Sequence, residues 1–315
     1  MLGLITHPAC LLHDNGFGHP ESPRRLEAVQ ARLETDLVAP GGATWIEAPR
    51  VGEADILRAH RPAYWERLRR LDAHGGGVLD PDTAMGPASL EAALRAAGAA
   101  VLAVERGLAG LGPSFCAVRP PGHHATPTHG MGFCLLSNAA IAALAAVGRL
   151  GAERVLVVDW DVHHGNGTAD CVREEPRVRY VSLHQWPYYP GTGLADDVGC
   201  GNLFHVPRPP GLPAATYVRD LLEGVDRAVR GWAPDLVIHS AGFDALRGDP
   251  LGGFTLEPDD YATITSEVAA RAPGGGGAVA VGVMEGGYDP PRLAEAASRH
   301  VAALAAAGAQ AKLAR

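Results

Sequence analysis

Residues 154–168 read RVLVVDWDVHHGNGT, an apolar run that leads directly into a group of aspartate and histidine residues. A short run of Val and Leu is typical of a strand that is buried on both faces, as strands are in a parallel sheet. Along the rest of the chain, similar β-prone runs alternate with stretches rich in Ala and Leu that have helical character. This alternation predicts an α/β fold with an open, mostly parallel sheet, flanked by helices on both faces.

The predicted elements extend over most of the chain. The strands are Phe115–Val118, Arg154–Asp159, Val178–Leu183, Leu236–Ser240 and Ala278–Met284. The helices are Ser89–Glu105, Asn138–Val147, Ala214–Arg230, Pro258–Ala270 and Pro291–Ala305. The glycine run 274–277 is expected to form a flexible turn before the last strand.

Length and composition restrict the class of protein. With 315 residues, 47% of them hydrophobic, the chain can bury a substantial core, and one large domain is expected. The formal net charge of −8 provides no basic face, so nucleic acid is not an expected partner. The longest apolar run, residues 139–147, is too short to span a bilayer, so no membrane span is expected. The sequence carries no indication of the oligomeric state.

Two further features favour a cytoplasmic location. The five cysteines include no CxxC pair, and scattered cysteines in a chain of this size are expected to be reduced thiols. The first residues, MLGLITHP, lack the basic segment that begins a signal peptide, and their apolar stretch breaks at His7-Pro8. We therefore expect a cytoplasmic protein.

Polar segments follow four of the predicted strands. In chain order these segments are residues 119–124 (RPPGHH), 160–167 (WDVHHGNG), 241–244 (AGFD) and 285–288 (EGGY). Ligands of open parallel sheets bind outside the carboxyl ends of the strands. The four segments are therefore expected to meet at one site.

Two of these segments contain residues suited to a catalytic metal. On extended backbone, the side chains of Asp161 and His163 would point in the same direction. Asp244, from another strand end, would be a third ligand. Three protein ligands leave a position open for water, as in catalytic zinc sites, where the metal acidifies water and polarises a carbonyl group. An Asp-x-His pair alone is also typical of ion pairs and caps, and only the combination with Asp244 and the nearby histidines favours a metal.

The remaining polar residues suggest acid–base chemistry beside that metal. His123 and His124 follow a rigid Pro-Pro-Gly turn, and one of them could remove a proton from water and return it to a leaving amine. Asp159 could orient a histidine, although it could equally cap the strand end. Tyr288, after two glycines that allow a sharp turn, could donate a hydrogen bond to a developing oxyanion, or it could be an ordinary loop aromatic. Phe133 and Tyr189 are candidate walls of a narrow apolar channel.

The chain resembles the zinc-dependent histone deacetylases, in particular the class II type and its bacterial relatives. The resemblance is carried by ordered segments that extend almost from end to end of the chain. These segments are residues 18–26 (GHPESPRRL), 119–125 (RPPGHHA), 132–138 (GFCLLSN), 158–168 (VDWDVHHGNGT), 181–184 (VSLH), 189–193 (YPGTG), 240–244 (SAGFD) and 285–288 (EGGY). The resemblance implies the arginase/deacetylase fold and a single deacetylase domain over residues 1–315.

Roles for the polar residues are implied by this resemblance. One catalytic Zn²⁺ would be held by Asp161, His163 and Asp244. His124 would be the general base and acid, and His123, paired with Asp159, would be its electrostatic companion. Tyr288 would polarise the substrate carbonyl while zinc-bound water attacks it. Asn166, where some class I relatives have Asp, would be a neutral partner of His124.

Other residues are implied to bind the substrate or a second ion. Gly132, Phe133 and Tyr189 would surround the acyl-lysine stem, and Arg25 matches an arginine near the inner end of the family's pocket. The backbones at Asp159, Asp161 and His163, with Ser182 and Leu183, resemble a structural potassium site. We find no catalytic residue of the family missing from this sequence.

The substrate implied is an acetylated lysine in a protein or peptide, or an acetylated small amine. Polyamine deacetylases share the catalytic residues, so an acetylpolyamine amidohydrolase is the alternative function. Relatives specialised for polyamines can carry a glutamate at the position of Leu251, where leucine offers only apolar contact or simply packs the loop. A two-metal hydrolase on the same fold would typically need a DxD pair at Asp244. Phe243 precedes Asp244 and Ala245-Leu246 follows, so there is no partner carboxylate at that spacing. A non-catalytic acyl-lysine binding module would be expected to lack one of the catalytic residues.

Overall fold

An eight-stranded parallel sheet forms the centre of the computed structural model, which describes residues 1–272 and 279–313. The strands of the chain, in order, are β1 (Leu2–Thr6), β2 (Ala43–Glu47), β3 (Gly77–Asp80), β4 (Thr83–Met85), β5 (Ser114–Cys116), β6 (Val155–Asp159), β7 (Val178–Gln185), β8 (Leu203–Arg208), β9 (Leu236–Ala241) and β10 (Val279–Met284). Strands β3 and β4 form a separate antiparallel pair. The large sheet has the order β2-β1-β5-β10-β9-β6-β7-β8, and each of its pairings is parallel.

Ten α-helices connect and cover these strands. They are α1 (Ala9–Leu12), α2 (Pro23–Leu33), α3 (Glu53–Ala59), α4 (Pro62–Ala73), α5 (Ser89–Leu108), α6 (Asn138–Arg149), α7 (Asn166–Val172), α8 (Ala214–Val229), α9 (Pro258–Arg271) and α10 (Pro290–Leu313) within the described residues, and a π-helical turn, Glu34–Val38, follows α2. Not one of the helices described here combines the length and apolar character needed to cross a membrane.

Helices cover both faces of the sheet, as consecutive residues of β10 demonstrate. Val281 lies against Gly107 of α5, whereas the next residue, Gly282, lies against His300 of α10. Because neighbouring residues of a strand point to opposite faces, α5 and α10 are on opposite sides. Helix α6 packs beside α5, and α8 and α9 extend the layer that contains α10. The predicted fold class is therefore confirmed.

The five predicted strands are the five central strands of the sheet, β5-β10-β9-β6-β7. All residues of β6 and β9 are buried, which agrees with their nearly continuous apolar sequence. The ends of the predicted strands and of four predicted helices agree to within three residues, and α10 extends further than the predicted 291–305. Ala278 and the predicted turn 274–277 lie outside the described residues.

Three strands of the large sheet were not predicted, namely β1, β2 and β8. Two of them, β2 and β8, are the edges of the sheet. Their residues are only partly buried, and polar residues interrupt the apolar pattern, as Thr44 and Glu47 do in β2. Edge strands with one solvated side lack the continuous apolar run by which the central strands were recognised.

Candidate active site

The carboxyl ends of β5, β6, β9 and β10 lie side by side, and the polar segments that follow them are hydrogen-bonded to one another. Glu285, after β10, accepts a hydrogen bond of 2.6 Å from the backbone N–H of Gly122, after β5. Asp244, after β9, accepts one of 2.8 Å from the N–H of Val162, after β6. The prediction that these segments meet at one site is confirmed.

Three candidate metal ligands come together at the centre of this site. Asp161, His163 and Asp244 each offer a ligand atom, and these atoms lie within 4.8 Å of one another. His163 Nδ1 is 3.0 Å from Asp161 Oδ1 and 3.3 Å from Asp244 Oδ2. The expectation of extended backbone at Asp161 and His163 is wrong, because β6 ends at Asp159 and the following residues form bends. The two side chains nevertheless meet, because the bends direct both of them to the same centre.

The surroundings of this cluster fit a divalent cation. Asp244 Oδ2 is buried and has no hydrogen-bond partner among the described residues. The backbone of Gly286 passes so close that a Cβ atom there would lie 2.1 Å from Asp244 Oδ2 and 2.5 Å from Asp161 Oδ2. Two carboxylates and an imidazole are a donor set that zinc accepts, and three protein ligands leave one position open.

The ionisation of the cluster also favours a cation. Burial, and then the charge of Asp161, raise the pKa of Asp244 to about 7. Although burial alone would lower it, the neighbouring carboxylates of Asp161 and Asp244 raise the pKa of His163 to about 9. Two buried carboxylates this close repel each other, and positive charge between them relieves the repulsion.

The two histidines after β5 have different partners. His123 Nδ1 lies 3.1 Å from Asp159 Oδ2, and His124 Nδ1 lies 2.8 Å from Asn166 Oδ1. Burial would lower the pKa of His123, but the charges of Asp161 and Asp159 hold it well above its usual range. Burial, together with the positive charges of His123 and His163, holds the pKa of His124 well below its usual range. The pair therefore contains one histidine that favours the charged form and one that favours the neutral form.

Tyr288 lies at the end of a short turn that is anchored by other parts of the chain. The buried guanidinium of Arg25 donates to the carbonyl oxygens of Gly287 and Glu285, each at 2.5 Å. The same guanidinium lies 4.8 Å from the centre of the Tyr288 ring. The backbone N–H of Tyr288 donates to Asp249 Oδ2 at 2.7 Å. Burial holds the pKa of the Tyr288 hydroxyl well above its usual range, so the hydroxyl keeps its proton.

Aromatic rings surround the space in front of these groups. The ring centres of Phe133 and Tyr288 are 5.9 Å apart, and those of Tyr189 and His124 are 5.1 Å apart. Phe133 has a φ of 68°, in the left-handed region that few large residues adopt. The backbone of the preceding Gly132 lies against His124, where a Cβ atom would be 2.4 Å from Cδ2 of the imidazole ring. The residues predicted to form the channel thus border the predicted catalytic residues.

Leu251 is half-buried and lies beside the exposed side chain of Tyr188. Its carbonyl oxygen accepts a hydrogen bond of 3.4 Å from the hydroxyl of Tyr188, and its N–H donates to Asp249 at 2.9 Å. The ring of Tyr188 in turn stacks on that of His163, with 5.5 Å between the ring centres. Leu251 is therefore next to the aromatic residues that border the candidate metal ligands.

The residues of the implied potassium site lie at the end of β6, in the bends that follow it, and in β7. Asp159 and Ser182 are directly opposite each other in the sheet. The hydroxyl of Ser182 is hydrogen-bonded to Nδ1 of His184, at 2.9 Å. Potassium at this position stays a prediction.

Two acidic residues that hold the site together were not predicted as site residues. The carboxylate of Glu285 is fully buried and accepts hydrogen bonds from the N–H groups of Gly122 and His123 and from the hydroxyl of Ser240. Asp249 accepts hydrogen bonds from the N–H of Leu251, in its own loop, and from the N–H of Tyr288. Most of the partners of Glu285 and Asp249 are backbone N–H groups, and such partners leave no signal in the sequence. An acidic residue at the end of an apolar strand, as at Glu285, is the nearest available indication.

Comparison with known proteins gives a consistent set of relatives. The family model described as the histone deacetylase domain matches residues 19–304. A probable deacetylase of Methanothermobacter thermautotrophicus is 38% identical over 92% of this chain and 86% of its own length. A histone deacetylase-like amidohydrolase of Pseudomonas aeruginosa is 38% identical over 86% of this chain and 73% of its own length. A crystal structure of the HDA15 HD domain superposes with a TM-score of 0.91 at 35% identity, and covers 99% of this chain and 92% of that one.

Proposed function

This chain belongs to the histone deacetylase family of amide hydrolases, and we propose that it removes the acetyl group from acetylated lysine side chains in proteins or peptides. The observation that carries this proposal is the position of Tyr288, His124 and the cluster of Asp161, His163 and Asp244 around one space. Amide hydrolysis needs a group for the carbonyl oxygen, a base for water and an acid for the leaving amine. Tyr288 would meet the first need and His124 the other two, beside a cluster that would hold a metal to activate the water.

The ligand cluster would hold the family's zinc ion through Asp161, His163 and Asp244. When bound, zinc polarises a carbonyl group and makes water a better nucleophile at neutral pH. The structural support is the unpartnered Asp244 Oδ2 and the two buried carboxylates, which need a positive charge.

His124 is the proposed general base and acid. Because Asn166 Oδ1 can only accept a hydrogen bond, the hydrogen of the neutral ring is on Nδ1, which leaves Nε2 free to take a proton. Nε2 removes a proton from the attacking water and then delivers it to the nitrogen of the departing lysine. His123, charged and paired with Asp159, stabilises negative charge on the reacting carbonyl and keeps the pKa of His124 low.

Tyr288 is the proposed donor to the carbonyl oxygen. Its hydroxyl keeps its proton at neutral pH and can strengthen its hydrogen bond as negative charge develops on that oxygen. Phe133 and Tyr189 would enclose the apolar lysine stem and limit the access of bulk water to the charges inside.

Assays on the purified chain test the reaction and the substrate class together. The substrates are an acetyl-lysine peptide, the same peptide without the acetyl group as a blank, and acetylated spermidine. We expect release of acetate from the peptide, loss of that activity after zinc is removed by a chelator, and recovery after zinc is added back. A higher kcat/KM for acetylated spermidine than for the peptide would show that the substrate is an acetylated polyamine, and the proposed deacetylation chemistry would still stand. No acetate from either substrate by the zinc-loaded chain would contradict the proposed function.

A further inference from the structure

We propose that Asp249 is a positioning residue for Tyr288, an inference that rests on the catalytic role proposed for that tyrosine. Asp249 is buried, with 5% of its surface exposed, and it lies on the loop after β9. One carboxylate oxygen accepts the backbone N–H of Tyr288 at 2.7 Å, across 39 residues of sequence. The other accepts the N–H of Leu251 at 2.9 Å.

The Asp249 bond is the contact that acts on the backbone of Tyr288 itself. The two hydrogen bonds from Arg25 end on carbonyl oxygens earlier in the turn, those of Glu285 and Gly287. Because the carbonyl of Gly287 and the N–H of Tyr288 belong to one peptide plane, Arg25 and Asp249 hold opposite edges of the plane from which the tyrosine departs. A hydrogen bond to a buried carboxylate is stronger than one between neutral groups, so it suits a position that has to be held closely.

The carboxylate of Asp249 binds backbone N–H groups and no charged side chain among the described residues. Among the described residues it forms no ion pair with an arginine, and each oxygen instead binds one N–H group. A buried carboxylate with only neutral donors is costly, since burial raises the pKa of Asp249 to about 6. The same side chain thereby joins Leu251, beside the exposed Tyr188, to Tyr288, beside the buried guanidinium of Arg25.

A double-mutant cycle separates positioning of Tyr288 from a general structural role. Asp249→Ala should lower kcat for an acetyl-lysine peptide by about tenfold, the effect of losing one charge-assisted hydrogen bond. In a Tyr288→Phe background, where the hydroxyl is already missing, the same substitution should change kcat by less than about twofold. Asp259→Ala, which removes an exposed aspartate paired with Arg299, is the control and should leave both kcat and KM unchanged. Circular dichroism and zinc content, both equal to those of the parent, show that each variant is folded.

Asp249→Asn repeats the cycle if the alanine variant does not fold. Asparagine has nearly the same volume but can accept only one of the two N–H groups. Asp249→Asn should therefore lower kcat less than Asp249→Ala does, and only in the background that retains Tyr288. Equal losses in both backgrounds would overturn the positioning role and leave the proposed reaction intact. An unchanged kcat in Tyr288→Phe alone would instead remove Tyr288 from the proposed mechanism, and the role of Asp249 would fall with it.

Discussion

Nδ1 of His124 lies 2.8 Å from Oδ1 of Asn166, so the base proposed for this enzyme is oriented by a neutral amide and not by a carboxylate. A neutral acceptor fixes the ring and selects the tautomer without adding a negative charge that would favour the protonated form. The low pKa of His124, set by burial and by the charges of the two neighbouring histidines, is therefore preserved.

The first prediction exchanges this neutral partner for a charged one. Asn166→Asp should raise the pKa of His124, because a carboxylate stabilises the imidazolium form. A base with a raised pKa stays protonated, and so inactive, up to a higher pH. The acidic limb of the kcat/KM profile should therefore move upward, and Asn166→Ala, which removes the acceptor, should move it downward. An unmoved limb in both variants, with zinc retained, would contradict the pairing of His124 with Asn166 or the role of His124 as base.

The second prediction concerns the hydroxyl of Tyr288. Tyr288→Phe removes one oxygen atom and keeps the ring beside Arg25 and Phe133, so the fold and the zinc content should not change. The value of kcat should fall by about 10²–10³-fold, as it does when an oxyanion donor is removed. Steady-state kinetics on an acetyl-lysine peptide measure this, and a wild-type kcat would show that another group polarises the carbonyl.

The third prediction tests the metal ligands without relying on activity. Asp244→Ala should lose most of its zinc, since two ligands hold the ion weakly. Asp259→Ala, which removes an exposed aspartate paired with Arg299, is the control and should keep one zinc per chain. Elemental analysis of dialysed protein decides between the outcomes. Full occupancy in Asp244→Ala would contradict the assignment of this ligand.

The fourth prediction concerns the choice of substrate at the mouth of the channel. Leu251→Glu places a carboxylate next to Tyr188, where it can attract the distant ammonium group of an acetylated polyamine. The ratio of kcat/KM values should shift toward polyamines by about 1–2 kcal/mol, roughly tenfold or slightly more, because solvent screens part of the attraction. Leu251→Gln, which is polar and uncharged, should shift the ratio much less. Equal shifts for both variants would mean that charge at this position does not select the substrate.

The fifth prediction concerns stability in acid. Burial lowers the pKa of His60 and His205 to about 4, and that of His184 and His239 to about 3, each from a usual value near 6.5. Below pH 6.5 the unfolded chain binds protons that the folded chain does not, so the free energy of unfolding should fall from pH 6.5 toward pH 4. Each histidine should cost about 2 kcal/mol at pH 5.

His239 allows a direct test of this acid sensitivity. Both of its ring nitrogens are buried without a hydrogen-bond partner among the described residues, so leucine can replace it at little cost. Urea unfolding between pH 7 and pH 5 should show a smaller loss of stability for His239→Leu than for the wild type. The exposed His74, changed to Gln, should leave the loss unchanged. Equal losses in all three proteins would contradict a contribution from His239.

The fold was predictable where a strand is buried on both faces, because its sequence is then almost entirely apolar. The residues of β6 are apolar up to Asp159 and buried throughout, so the run alone identifies the strand. At the edge, β8 contains His205 and Pro207 and is only partly buried, and its pairing with β7 is a long-range contact that no local pattern records. Sequence patterns thus identify the centre of a parallel sheet more readily than its borders.

The site was predictable where the chemistry lies in side chains. Asp161, His163 and Asp244 were identified by residue type and by their place after predicted strands, and the structure brings them together. Glu285 and Asp249 were missed as site residues because they act on backbone N–H groups, which every residue except proline has. Only the folded chain shows which N–H groups an acidic side chain reaches.

The backbone of Gly286 against Asp244, and that of Gly132 against His124, leave no room for even a methyl group at either position. Any substitution at either glycine would therefore displace a proposed catalytic or metal-binding side chain, so these two positions cannot change in small steps during evolution. Tyr188 and Leu251, which are exposed or half-buried at the mouth, are under no such restriction. Proteins that evolve from this one should accordingly change their substrate preference before they change the type of reaction.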